Sequence, residues 1–182
     1  MAIPVKKTFT YREADPVKQA EFRQVIEKYD LKKVVYLDET GFDQQPYAYG
    51  WSRKGIPVTG KRTGKRVERA SVVAALIAGV LCAGHIFRGT CNRQVFFSWL
   101  KNVLLPMLSP GFTLVMDNAR FHHATEIVQL VEQHGCQILY LPPYSPELNP
   151  IEQAWAPLKN RVRKNLRDGV DDLHQAIINS LT

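Results

Sequence analysis

The alternation of strand and helix patterns between residues 112 and 141 constrains the fold of this chain more than any other feature. Residues 112–117 form a short apolar run, residues 124–134 carry apolar side chains at helical spacing, and residues 137–141 form a second apolar run. Strands that alternate with helices are typical of parallel pairing, with the helices packed on the sheet. This region therefore predicts a parallel pair of strands.

The residues before this region predict antiparallel strands instead. Residues 33–39 and 47–53 have extended patterns, and residues 70–89 indicate two strands around the glycines Gly79 and Gly84. Four further segments predict helices: about 16–29 with Asp15 as N-cap, 93–108, a helix from about Ile151, and about 170–181. The combined pattern predicts an α/β fold with a mixed sheet flanked by helices, in one domain that spans residues 1–182.

The composition favours a globular protein with a polyanionic partner. With 182 residues, of which 45% are hydrophobic, the chain is long enough to bury a sizeable core. The formal net charge of +7 indicates binding to phosphates, because clustered Lys and Arg displace counterions from nucleic acids. The cysteines include no Cys-x-x-Cys pair, which argues against a disulfide framework or a cysteine-rich zinc site. Because no apolar run suits a signal peptide or a membrane span, we expect a cytoplasmic protein.

Carboxylates follow two of the predicted strands. The run VVYLDE ends in Asp38 and Glu39, and TLVMD ends in Asp117. In open α/β sheets, sites gather beyond the carboxyl ends of strands. Glu152, at the start of a predicted helix, is a third candidate. Three carboxylates from separate segments suit Mg²⁺ or Mn²⁺, which prefer hard oxygen ligands.

Each of these polar residues also has a structural interpretation. Asp117 and Asn118 could form a turn through local hydrogen bonds to the backbone. Asn149 as N-cap, with Glu152 three residues later, resembles a capping box. His122 and His123 are adjacent, so their side chains diverge, and no matching Cys or His cluster accompanies them. A surface position or a supporting role is favoured for both histidines, and we assign them no metal.

A basic segment follows the first predicted strand. Between Arg53 and Arg69 the only acidic residue is Glu68. The candidates for contacts with a phosphate backbone in this segment are Arg53, Lys54, Lys61, Arg62, Lys65, Arg66 and Arg69. A solvated loop without a ligand is the alternative.

The helix predicted from Ile151 adds two cations. Its apolar side chains share one face: Ile151, Trp155, Leu158, Val162 and Leu166. Glu152, Lys159 and Arg163 share the flank of that face, so the acid should lie beside cations that suit DNA phosphates. Pro157 is expected to kink the helix and to shift the phase across it.

Three segments occur in a characteristic order: VVYLDETGF, LVMDNARFHHA and LPPYSPELNPIEQAWAPLKNRVRK. Together they resemble the catalytic blocks of bacterial insertion-sequence transposases in the mariner superfamily. The 34 residues between Asp117 and Glu152 match the bacterial branch of these enzymes. The resemblance covers nearly the whole chain and implies a ribonuclease H-like fold. It also implies that Asp38, Asp117 and Glu152 form the catalytic, metal-binding triad.

The resemblance implies a DDE transposase catalytic domain that cleaves DNA at transposon ends and transfers strands into target DNA at TA sites. The implied cofactor is Mg or Mn, with two ions per site. The implied partners are transposon and target DNA and a second copy of the chain, in a homodimer or synaptic complex. A bacterial, nucleoid-associated location in the cytoplasm goes with this activity.

Such transposases carry an N-terminal helix-turn-helix region that recognises the terminal repeats. This chain reaches its first catalytic strand by residue 33, so we expect that region to be absent from it, and a separate helix-turn-helix chain becomes a candidate partner. Two other functions remain open. One is a non-catalytic DNA-binding remnant that modulates a full transposase, and the other is a ribonuclease H-like nuclease acting on RNA hybrids or branched DNA.

Overall fold

Five strands and five α-helices organise the part of the protein that the computed structural model describes, which is residues 11–43, 52–57 and 69–181. The strands are β1 (Val34–Asp43), β2 (Arg69–Ile77), β3 (Val80–Arg88), β4 (Thr113–Met116) and β5 (Gln137–Tyr140). The helices are α1 (Pro16–Ile26), α2 (Arg93–Trp99), α3 (Thr125–Gln133), α4 (Ile151–Arg167) and α5 (Leu173–Leu181).

The strands form one mixed sheet in the order β3-β2-β1-β4-β5. β1, β2 and β3 pair antiparallel, whereas β4 pairs parallel with both β1 and β5. The predicted α/β class and mixed sheet are therefore confirmed. Ala78 and Gly79 both adopt positive φ in the tight turn between β2 and β3, a geometry that favours glycine. Of the strand predicted at 47–53, residues 52 and 53 are not extended into a strand, and the rest lies outside the described residues.

The predicted lead-in helix is present, and Asp15 caps it as expected. The Asp15 carboxylate accepts a hydrogen bond from the backbone of Val17, and Pro16 occupies the first turn. Residues 93–108, predicted as one helix, are instead α-helical only to Trp99 and continue as a π-helix and then a 3-10 helix. Pro106 explains the change, because it has no N–H to continue the regular ladder.

The two faces of the sheet bury separate apolar clusters. α2 and α3 cover one face, where Trp99 lies in the core and donates its indole N–H to the Ala83 carbonyl oxygen at 2.6 Å. α4 and α5 cover the opposite face around Leu158 and Ile177. A third, smaller cluster packs α1 against the sheet through Phe22. β1 thus lies at the centre of the sheet, where it is supported from both sides.

The phase shift expected across Pro157 is not found in α4. α4 is continuous from Ile151 to Arg167, and its predicted apolar face stays in phase, with Trp155 and Leu158 on either side of the proline both buried. Pro157 lies on the exposed face, where water can bind the Gln153 carbonyl that the missing N–H leaves free. Within the described residues, no helix has the length and hydropathy needed to cross a membrane.

Candidate metal-dependent active site

Asp38 and Asp117 lie at the same level of two neighbouring parallel strands. The register pairs Tyr36 of β1 with Val115 of β4, and each aspartate follows two residues later. Adjacent strands are about 4.8 Å apart, and residues two apart share a face of the sheet. The parallel pairing therefore brings the two segments that carry these aspartates, which are far apart in the sequence, next to each other.

The Asp38 carboxylate is partly buried and has one strong hydrogen bond. The indole Nε1–H of Trp155, in α4, donates to Asp38 Oδ2 at 2.6 Å. The pKa of Asp38 is raised to about 7, mainly by burial and also by the nearby charges of Glu152 and Glu39, against the lowering effect of the Trp155 bond. The negative charge at Asp38 is therefore costly in the absence of a cation.

Glu152 occupies the first turn of α4, and Asn149 fixes the position of that turn. The Asn149 side chain is buried and donates from Nδ2 to the carbonyl oxygen of Leu37 at 3.0 Å. The predicted capping box is therefore wrong, because Asn149 bonds to β1 and α4 begins without a side-chain cap. This bond attaches the helix that carries Glu152 to the residue preceding Asp38.

The electrostatics of Glu152 connect it to both other candidates. Burial raises its pKa, the charge of Lys159 lowers it, and the charge of Asp117 raises it. Glu152 itself adds to the rise in the pKa of Asp38. Its carboxylate therefore lies within electrostatic reach of Asp38, Asp117 and Lys159.

Asp117 differs from the other carboxylates because hydrogen bonds stabilise its charge. Its Oδ1 accepts the backbone N–H of Ala119 at 3.0 Å and lies 2.7 Å from Nδ1 of His122. Burial alone would raise the pKa of Asp117, but these two hydrogen bonds outweigh it and the pKa is lowered. The bond to Ala119 is the local turn expected from the sequence.

Glu39 is a fourth carboxylate of this region, and the sequence pattern assigns it no role. Burial raises its pKa, the charge of His122 lowers it, and the charges of Asp117 and Glu152 raise it again. Because side chains alternate along a strand, Glu39 points to the opposite face of β1 from Asp38. The adjacent acids in the sequence were the only signal for it, and they do not reveal which face each side chain takes.

The donor chemistry of this cluster fits a hard divalent cation. The groups are carboxylates, three of them with raised pKa values, and the charges of Glu39, Asp117 and Glu152 each raise the pKa of a neighbouring carboxylate. An excess of negative charge of this kind is relieved by a metal ion, and Mg²⁺ and Mn²⁺ prefer oxygen ligands. Across residues 11–43, 52–57 and 69–181, no three acidic, His or Cys side chains are already arranged close enough to enclose an ion.

The predicted DNA-binding cations are distributed over several elements. Arg53 and Lys54 are exposed, and Arg69 at the start of β2 lies 3.9 Å from Asp43. Arg163 of α4 donates to Asn160 at 3.2 Å. Four further candidates lie outside the described residues: Lys61, Arg62, Lys65 and Arg66.

The chain resembles known DNA-processing proteins in sequence and in fold. The family model of the DDE superfamily endonucleases matches residues 33–174. The transposable element Tcb1 transposase of Caenorhabditis briggsae is 29% identical over 79 residues, which are 41% of this chain and 29% of that protein. A Mos1 transposase paired-end complex with left transposon end matches with a TM-score of 0.67 and 14% identity, over 99% of this chain and 62% of that chain. Mos1 paired-end complexes with Mn and with Mg match as well.

The catalytic core domain of BIV integrase is also similar, with a TM-score of 0.54 and 15% identity, over 82% of this chain and 81% of that chain. These structures confirm the predicted ribonuclease H-like fold. The chain spans less than two thirds of the Tcb1 and Mos1 transposases that it matches. Because the family match covers most of the chain and includes Asp38, Asp117 and Glu152, the chain belongs to the DDE superfamily endonucleases.

Proposed function

We propose that this chain is the catalytic domain of a DNA transposase from the bacterial insertion-sequence branch. Its reaction is cleavage of phosphodiester bonds at transposon ends, followed by joining of the freed 3′-hydroxyl to target DNA, both by in-line displacement. The observation that supports this most directly is the parallel pairing of β1 with β4, because Asp38 and Asp117 each follow a paired residue by two positions. The hydrogen bond between Asn149 and Leu37 adds Glu152 to the same region.

In this proposal Asp38, Asp117 and Glu152 hold two Mg²⁺ or Mn²⁺ ions. When bound, such ions supply an activated attacking oxygen and stabilise the leaving oxygen. The chain itself restrains the carboxylates. Trp155 holds Asp38 through its indole N–H, and Asn149 fixes the turn of α4 that presents Glu152.

DNA is the proposed substrate and partner. Lys159 lies close enough to Glu152 to lower its pKa, so a phosphate bound near the carboxylates would also meet a cation. The basic segment from Arg53 to Arg69 supplies further phosphate contacts in the proposal, with little sequence preference. We further propose that two copies act in a synaptic complex at TA target sites on nucleoid DNA, and that a helix-turn-helix chain provides recognition of the transposon ends.

A nicking assay on supercoiled plasmid tests the activity. The protein should nick the plasmid with Mn²⁺ or Mg²⁺ and not with EDTA, and D38N, D117N and E152Q should each lose at least about a hundredfold in rate. The control is E132Q, which removes an exposed carboxylate from the far end of α3. Loss of DNA binding in step with loss of nicking would instead point to a folding defect, because phosphate affinity resides mainly in Lys and Arg.

Assays on the same protein preparation distinguish two other functions from the proposed one. A non-catalytic remnant would bind the plasmid without nicking it at any metal concentration. A ribonuclease H-like nuclease would prefer an RNA–DNA hybrid or a branched duplex when these compete with a plain duplex. Joining of a labelled 3′-hydroxyl end to a second duplex is expected only of the proposed transposase.

A further inference from the structure

His122 is fully buried, although it lies in a loop that follows an exposed aspartate. It belongs to the short 3-10 helix Arg120–His123 after β4, and only 2% of its surface is accessible. The ring packs against Phe96 of α2 with centroids 4.4 Å apart, and against Phe121 at 4.2 Å. The imidazole therefore packs against two aromatic rings.

The two ring nitrogens have different surroundings. Nδ1 lies 2.7 Å from Asp117 Oδ1 and 3.3 Å from the Asp117 carbonyl oxygen, whereas Nε2 is buried without a hydrogen-bond partner among the described residues. A proton on Nε2 would be a buried donor without an acceptor, which costs about 1–3 kcal/mol. Nδ1 therefore carries a proton, and that proton points at Asp117.

Both hydrogen bonds to the Asp117 carboxylate fall on the same oxygen. Oδ1 accepts from His122 Nδ1–H and from the backbone N–H of Ala119, and Oδ2 accepts neither. Two donors on one oxygen restrict rotation of the carboxylate and leave the other oxygen for a different ligand. A carboxylate on an exposed loop would otherwise turn freely.

Tyr140 holds the backbone of His122 in place, and the adjacent His123 makes different contacts. The hydroxyl of Tyr140, at the end of β5, donates to the His122 carbonyl oxygen at 3.0 Å. The exposed His123 turns the other way, stacks on Tyr140 with centroids 4.0 Å apart, and contacts the Asn118 side chain. Of the two adjacent histidines, His122 is the one that contacts the predicted ligand.

We infer that His122 is a positioning residue for the metal site. Its Nδ1–H fixes Asp117 Oδ1, so that Oδ2 is presented to the divalent cation in one orientation. The residue touches neither DNA nor the cation. This inference rests on the proposed function, because it takes Asp117 as a ligand of the cation.

Three variants separate positioning from packing. H122F fills the space between Phe96 and Phe121 but has no donor, whereas the amide N–H of H122N can reach the position of Nδ1–H. H123F changes the exposed neighbour and serves as the control. Binding of Mn²⁺ in the absence of DNA, measured by electron paramagnetic resonance, should weaken about 10–100-fold in H122F, recover to within about threefold in H122N, and stay unchanged in H123F.

A second readout needs no metal. In the metal-free wild type, ¹⁵N NMR should show His122 protonated on Nδ1. A proton on Nε2 with none on Nδ1, or wild-type Mn²⁺ affinity in H122F, would overturn the inference. If H122F proved unfolded by circular dichroism, the comparison of H122N with wild type would decide, since restored Mn²⁺ affinity supports positioning and weakened affinity contradicts it.

The same measurements separate this inference from the proposed function. Mn²⁺ binding that depends on His122, together with no nicking or strand joining, would refute the transposase activity and leave the positioning role standing. Nicking by H122F at the wild-type rate and with the wild-type metal dependence would refute the positioning role and leave the transposase activity standing. Failure of the wild type to bind Mn²⁺ at all would reject both.

Discussion

Replacing Asp38 with Asn should stabilise the metal-free protein, although it removes a predicted metal ligand. The pKa of Asp38 is raised from 3.8 to about 7, mainly by burial. One pKa unit corresponds to about 1.4 kcal/mol, so ionising this carboxylate in the folded state costs about 4 kcal/mol relative to the unfolded chain. Asn is neutral and can still accept the hydrogen bond from Trp155. We expect a gain of about 2–4 kcal/mol in the free energy of unfolding at about pH 8.

The pH dependence of this gain has a definite sign. Below the unfolded pKa the carboxyl group is protonated in both states, and it does not lower stability. As the pH rises from about 4 to about 7, the unfolded chain releases its proton first, so the folded wild type progressively loses stability. The advantage of D38N should therefore grow by about 2 kcal/mol between about pH 5 and about pH 8 and level off above that.

Urea unfolding followed by circular dichroism, with EDTA present, measures this difference. D43N is the matched control, because Asp43 is an exposed carboxylate at the other end of β1 and its loss should change stability by less than about 0.5 kcal/mol. Adding Mg²⁺ should stabilise the wild type through mass action and leave D38N unchanged. An equal effect of D38N at both pH values, or a destabilised variant at about pH 8, would refute the reasoning.

Three further outcomes are expected. N149A should lower the free energy of unfolding by about 1–3 kcal/mol, because the buried Leu37 carbonyl loses its donor, and urea unfolding beside an N160A control measures it. L158A should cost about 2–5 kcal/mol through the cavity left between α4 and the sheet, in the same assay. The logarithm of DNA affinity should fall against the logarithm of salt concentration with a slope of roughly −4 to −5. That slope should flatten when Lys61, Arg62, Lys65 and Arg66 are all replaced with Ala, and an unchanged slope would place the phosphate contacts elsewhere.

The sequence predicted the elements of the site better than the bonds between them. Asp38 and Asp117 were identifiable because each ends an apolar run, and that pattern is local. Asn149 was misread as a helix cap, since the local spacing could not show that the Leu37 carbonyl, 112 residues away, needed a buried donor. Trp155 was assigned only to the apolar face of its helix, and its bond to Asp38 depends on how that helix lies on the sheet.

The fold shows the same division between local and distant determinants. The strands on both sides of Gly79 and the lead-in helix were predicted because turn residues, a cap and periodicity are neighbours in the sequence. The helix over residues 93–108 was too long, because the apolar spacing continues past the point where Pro106 interrupts the hydrogen bonds. The constant phase of the apolar face across Pro157 was also missed, since it depends on which face of the helix is exposed.

The bonds from Asn149 to Leu37 and from Trp155 to Asp38 also bear on when the protein can act during its own synthesis. They join residues 112 and 117 positions apart, so they form only after most of the chain has left the ribosome. Until then β1 can pair with β2, but α4, which carries Glu152, has not yet packed on the sheet. On the proposed function, a nascent chain should therefore be unable to cut DNA until its synthesis is nearly complete.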